Sequence, residues 1–169
     1  MTPAEATTIR DFLVATFEYE VPTTTRVFEA VPDERLDYRP DALSKTALDL
    51  IRHIALEDVW FLDGIAEGRF GPMPDQSDAC GVLKPADAAA QYPPRAKAAL
   101  GRVKALSGEE LLRELDLMGA FKLPAIQFLS LALRHSTHHR GQLSSYLRAM
   151  GGKVPSIYGP SADTVQVSA

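Results

Sequence analysis

Apolar residues recur at helical spacing along most of this chain, and the alternation that marks strands is almost absent. From Pro3, a favoured first-turn residue, the positions Ile9, Phe12, Leu13 and Phe17 lead on past Val27 and Phe28 to Ala30 and predict a first helix. Pro22 lies inside that pattern and is expected to kink it or split it after Tyr19. A connector over Val31 to Leu43 holds Pro32 and Pro40, and Ser44 is a candidate N-cap for a second helix from about Lys45 to Glu67. The apolar stripe of that helix is Leu50, Ile54, Phe61 and Ile65. Gly68 to Pro85 is rich in glycine, proline and aspartate and predicts a long loop, a kind of segment often tied to function. A third helical pattern breaks at Pro93-Pro94 and resumes through Ala96, Leu100, Val103 and Leu106. Glu109 to Met118 admits either a helical turn or a short extended piece. The last helix starts near Pro124 and stops at Gly151-Gly152. Beyond Val154 an irregular tail is expected to fold back on the bundle and to become mobile over Ala162 to Ala169.

Four helices with long connectors predict an all-α four-helix bundle, a single domain over residues 1–169 with the bundle at about 3–151 and the tail at 152–169. A chain of 169 residues is long enough for one substantial core. Its 46% hydrophobic and 24% charged residues describe an ordinary globular protein. With a net charge of −4 and no basic run, the chain lacks the clustered lysine and arginine that phosphate binding needs, so nucleic acid is excluded as a partner. No apolar run approaches the ~20 residues of a membrane span. The single cysteine, Cys80, forbids an internal disulfide and fits a reducing compartment. Glu5 and Asp11 stand where a signal peptide would carry a positive start and an apolar core. These features together predict a cytoplasmic location.

The chemistry concentrates in the last helix, where His135, His138 and His139 are three of the four histidines in the chain. Winding at about 100° per residue puts Phe121, Phe128, Ala132, Leu143, Tyr146 and Met150 on one stripe with His135 and His139. His138 falls on the polar side with Gln127, Arg134 and Ser145. It is therefore expected to face outward and to ligate nothing, and the loop residue Cys80 is likewise expected to be no ligand. Two inward imidazoles spaced i,i+4 suit a shared metal ion, although inward histidines also occur as core residues bonded to a carbonyl or a carboxylate. The fourth histidine, His53, at the edge of the second helix's stripe, supplies the third ligand such a pair lacks. Three-histidine ligation leaves a coordination position open. Glu57 falls about 40° from His53, nearer the centre of the stripe, where a carboxylate is costly unless paired. It is a candidate catalytic base or an acceptor that orients a ligand; the competing reading is a rim residue bridged to an arginine. Trp60, about 20° from His53 in projection, is a candidate pocket wall beside Glu57, with the Gly68–Pro85 loop closing over the mouth.

Two stretches resemble the DinB-like superfamily of small bacterial four-helix-bundle proteins. One is Leu36-Asp-Tyr-Arg-Pro40 with Leu50-Ile-Arg-His53. The other is His135-Ser-Thr-His-His139-Arg-Gly-Gln142, followed by Tyr146-Leu-Arg and Val154-Pro-Ser-Ile-Tyr-Gly159. With the element order, the resemblance covers nearly the whole chain, and it implies one divalent transition metal, commonly zinc or nickel, on His53, His135 and His139. It also implies a homodimer and a small-molecule substrate. Some members are similar to S-transferases that use a low-molecular-weight thiol such as bacillithiol or mycothiol, and others to metal-dependent hydrolases. Related sulfoxide synthases carry a glutamate two residues after the second paired histidine. Gly141 stands there in this chain, which disfavours their oxidative iron chemistry. The same three ligands serve water or thiol activation, so hydrolase, transferase and a non-enzymatic metal-binding or sensing module all stay open on the residues alone.

Overall fold

The computed structural model describes residues 1–165. Thr2 starts the first helix, its hydroxyl accepting from the N–H of Glu5 while the Glu5 carboxylate accepts from the N–H of Thr2. This capping box satisfies two donors that a helix start leaves bare. Helix α1 spans Pro3–Glu29 and α2 spans Ala47–Glu67. The N-cap of α2 is Thr46, paired reciprocally with Asp49, rather than Ser44. Ser44 instead donates to Asp41 at 2.7 Å in the preceding turn. Gly68 ends α2 in the left-handed region at φ 73°, where a side chain would be strained.

Helix α3 spans Pro85–Lys104 and the one-turn α4 spans Gly108–Leu112. Strand β1, Glu114–Asp116, pairs antiparallel with β2, Lys122–Pro124. The segment left open by the sequence is thus a helical turn followed by a strand. Helix α5 spans Ala125–Tyr146, and a 3₁₀ turn over Arg148–Met150 carries the chain to Gly151. Phe121 lies ahead of α5, not on it, but its ring still stacks on Phe128 with centroids 5.8 Å apart.

The long helices α1, α2, α3 and α5 form the bundle, each packed on two others. Phe17 and Phe28 of α1, Leu50, Ile54 and Ile65 of α2, Leu100 of α3 and Phe128 of α5 meet in the buried core. Burying each side chain contributes about 1.5–3 kcal/mol, enough for packing to override local helix propensity. That explains why the expected breaks do not occur. Both α1 through Pro22 and α3 through Pro93-Pro94 are continuous. Pro22 and Pro94 are exposed and Pro93 half-buried, so the carbonyls they strip of partners lie toward solvent. Meanwhile Phe17 and Phe28, and Tyr92 and Ala96, anchor the helices on either side.

The tail returns across the bundle, with Val154 and Ile157 packed on the core. Asp163, in the stretch expected to be mobile, accepts from the N–H of Val154 at 2.9 Å and from Arg148 at 3.0 Å. Residues 166–169 lie outside the described residues. Among the described residues, no helix is long and apolar enough to cross a membrane.

Candidate metal centre

Packing of α2 against α5 turns three histidines toward one another. The Nε2 atom of His53 lies 3.0 Å from that of His139 and 3.2 Å from that of His135. One donor atom from each of the three falls within 4.8 Å of the others, a group that could hold a metal ion. Ligands about 2.1 Å from a tetrahedral ion stand ~3.4 Å apart, so the spacing suits a shared ion.

The neighbours of each ring decide where its proton sits. His139 Nδ1 is 2.7 Å from Gln142 Oε1, which can only accept, so the proton is on Nδ1 and Nε2 is bare. Burial pushes His139 down to about 4, against the opposing pull of Gln142 and with the other histidines adding to it. It is therefore neutral at neutral pH. His53 Nδ1 is 2.6 Å from Glu57 Oε1, again an acceptor, although off the line of the N–H. A proton on Nδ1, drawn by that carboxylate, would leave the His53 Nε2 bare as well. In that arrangement the two lone pairs, 3.0 Å apart, repel unless a cation or a shared proton lies between them.

Glu57 is buried, 4% exposed, rather than on the rim, and among the described residues no arginine bridges to it. Its Oε1 accepts from Gln76 Nε2 at 2.6 Å, and its Oε2 is 3.5 Å from His135 Nε2. Burial works to raise its carboxyl, but His53 and Gln76 outweigh burial and hold it below its usual value. Glu57 is thus an ionised acceptor beside the trio. Gln76 reaches it because Arg52, buried in α2, pins the Gly68–Pro85 loop through Val82 O at 2.8 Å and Asp78 Oδ1 at 2.5 Å.

On the other side of His135 stands Asp58, which is fully buried. Its Oδ2 accepts from Tyr92 at 2.8 Å and Ser136 at 2.7 Å, while its Oδ1 lies 3.9 Å from His135 Nδ1. Among the described residues, the buried side-chain polar atoms without a hydrogen bond are His53 Nδ1, Asp58 Oδ1 and His135 Nδ1. All of them border this one site.

The cleft that reaches His139 measures about 270 Å³ and is lined by Leu43, Ser44, Lys45, Leu50, Gln142 and Tyr146. Lys45 is exposed and makes no ion pair among the described residues, and no carboxylate lines the cleft. Trp60 is not part of it. The indole donates to Gly71 O at 3.1 Å and packs on Phe61 and Phe70, so it clasps the loop rather than walling the mouth. His138 is exposed on the flank of α5, about 100° round the helix from His139, with its ring edge-on to the His139 ring at 4.9 Å, and Cys80 lies in the loop with its Sγ accepting from Val82 N–H.

The profile of the DinB family matches residues 8–166 of this sequence. The chain belongs to the DinB family. It is 31% identical over 134 residues to a Bacillus subtilis (strain 168) protein called uncharacterized protein YjoA, covering 76% of this chain and 82% of that one. Its fold is similar to the crystal structure of the DinB-like YjoA of Bacillus subtilis, with TM-score 0.68 and 24% identity over 88% of this chain and 99% of the other. A DinB-like protein from Bacillus cereus ATCC 10987 superimposes with TM-score 0.71 at 22% identity, covering 86% of this chain and 95% of that one. These likenesses establish the all-α DinB-like bundle.

Sequence reasoning passed over three members of the site. Asp58 projects within about 20° of Ile51 and Ile65, deep in the apolar face of α2, and a carboxyl group there demands partners. Gln142 stands one turn beyond His139, the spacing at which helical side chains meet. Gln76 sits in an irregular loop and left no periodic signal.

Proposed function

We propose that this DinB-family protein holds one divalent transition metal, zinc or nickel before others, on His53, His135 and His139. With it the protein activates a small thiol, or water, against an electrophilic small molecule. The observation that supports this best is the convergence of Nε2 atoms at 3.0 and 3.2 Å, with Gln142 holding the His139 Nε2 bare. A metal bound there supplies Lewis acidity, which lowers the pKa of a thiol or water that reaches it.

The chain's own residues supply the rest. Glu57, ionised and held by Gln76, stands beside the trio with Oε2 free of any hydrogen bond, placed to take the proton that the thiol or water gives up. Gln142 holds His139 in the tautomer that presents Nε2. Phe61 packs on His135 with ring centroids 5.4 Å apart and keeps water from that side. At the mouth, the Lys45 ammonium and the Gln142 amide N–H₂ favour a partner that carries a carboxylate. The buried Glu57–Gln76 pair supports the catalytic reading, and Glu57→Gln separates it from a carboxylate that only orients His53 in a metal-binding module.

The test is a screen of electrophiles with carboxylate-bearing and neutral thiols on metal-loaded protein, using Glu57→Gln as the control. The variant should keep its metal and lose about 10²–10⁴-fold in turnover. Turnover equal to wild type would remove Glu57 from the mechanism. No turnover with any thiol or hydrolysable substrate would return the protein to the metal-binding class.

A further inference from the structure

Asp58 lies at the point where three helices meet, yet it touches neither the cleft nor the convergence of Nε2 atoms. It comes from α2, and its Oδ2 takes hydroxyl protons from Tyr92 of α3 at 2.8 Å and Ser136 of α5 at 2.7 Å. Tyr92 is itself 1% exposed, and burial next to Asp58 pushes its phenol well above the usual value, so it stays a donor. With Oδ2 doubly occupied, the carboxyl group cannot rotate without giving up both bonds. Its Oδ1 is consequently aimed, and it has no partner. The group facing it is His135 Nδ1, at 3.9 Å and also without a partner. An acceptor and a potential donor, both buried and both unsatisfied, face each other about 1 Å beyond bonding distance. The χ2 torsion of an imidazole is broad, so a ring rotation that brings Nδ1 toward Oδ1 shortens that gap at little cost.

We propose that Asp58 is a positioning residue of the centre: its Oδ1 takes the Nδ1–H of His135 and holds that ring in the tautomer that offers Nε2 to a cation. The proposal rests on the reading of the three histidines as metal ligands. The alternative tautomer puts the proton on Nε2, where Glu57 Oε2 at 3.5 Å and His53 Nε2 at 3.2 Å compete for it and the lone pair is lost to a metal. Asp58 biases His135 away from that state. Histidine ligands commonly donate their second nitrogen to a carboxylate, and losing such a partner typically costs about 10–100-fold in metal affinity. Tyr92 precedes Pro93 directly, so the unbroken course of α3 through its two prolines is what delivers this hydroxyl to the site.

Asp58→Asn is the diagnostic change. The hydroxyls of Tyr92 and Ser136 donate, so they hold the amide oxygen and turn the N–H₂ toward His135, which then favours the wrong tautomer. Zinc affinity is measured by competition with a chromophoric chelator on wild type, Asp58→Asn, His135→Ala and the double variant. Asp58→Asn should bind zinc about 10–100-fold more weakly, and in the His135→Ala background it should add less than about twofold. In the metal-loaded wild type, the Nδ1 proton of His135 should exchange slowly with solvent, a readout that does not depend on any variant folding. Equal affinity in Asp58→Asn, an undiminished loss in the His135→Ala background, or a fast-exchanging Nδ1 proton would each overturn the proposal while leaving the three ligands standing. Wild-type protein that takes up no zinc or nickel would overturn the ligand reading and this proposal together.

Discussion

Helix α5 carries two buried polar clusters on different faces, and they differ in completeness. Toward α1 and the tail, Arg140 is 2% exposed and pairs with the Glu20 carboxylate. It also donates to Thr24 Oγ1 at 3.3 Å and to Tyr158 OH at 2.5 Å. Tyr158 in turn donates to Glu20 Oε1 at 3.0 Å, and its ring covers the guanidinium at 5.3 Å. Toward α2, His135 and His139 bring their Nε2 atoms against that of His53, and Asp58 and His135 keep atoms without a hydrogen bond among the described residues. Both clusters cost desolvation. The first recovers that cost inside the protein and ties α1, α5 and the tail together. The second, on the proposed function, recovers it when a cation binds, and that difference would separate architecture from function here.

Substitutions should divide along the same line. Glu20→Ala leaves the Arg140 guanidinium buried without its carboxylate and should cost about 3–5 kcal/mol in unfolding free energy. Metal content per folded chain should be unchanged, and equilibrium denaturation with elemental analysis reads both. His139→Ala should do the reverse, abolishing tight metal binding while far-ultraviolet circular dichroism stays near wild type. A variant on either side that moved both quantities equally would erase the distinction.

Acid should reveal the incomplete cluster next. Folding lowers His139 from about 6.5, its unfolded value, to about 4. Between those values the unfolded chain holds the extra proton, so the stability this histidine contributes is fully present above about pH 6.5 and is lost as pH falls toward 4. The melting temperature of metal-free wild type should drop across that window, and His139→Gln should flatten the drop. An unaltered slope in the variant would show that His139 titrates alike in both states.

The smallest effects belong to residues that share the neighbourhood but not the geometry. His138→Ala and Cys80→Ser should leave metal stoichiometry and affinity unchanged, because one faces solvent and the other lies in the loop against Val82. Loss of metal in either would place a ligand outside the trio.

Much of this was legible in the sequence because it is periodic. The i,i+4 pair His135/His139, the inward face of α5 and the position of His53 on α2 follow from helical spacing, and so does the outward His138. Local rules failed where tertiary packing overrules them. Pro22 and Pro93-Pro94 read as breaks, yet buried flanks on both sides carry α1 and α3 through. Trp60 shares a helix side with His53 but is drawn to the backbone of the loop at Gly71, a partner no helical projection contains. Gln76 enters through that loop for the same reason. Asp58 was recoverable: a carboxyl among Ile51, Ile54 and Ile65 signals partners, although not that they are Tyr92 and Ser136 from two other helices.

Completion of the second cluster by one metal ion is read by elemental analysis of the full chain, purified without chelators and again after incubation with zinc or nickel and desalting, alongside His139→Ala. The wild-type chain should retain about one equivalent of divalent metal and the variant none. Wild-type protein that retains no metal under either treatment, or a variant that retains as much as wild type, would contradict completion by a metal ion.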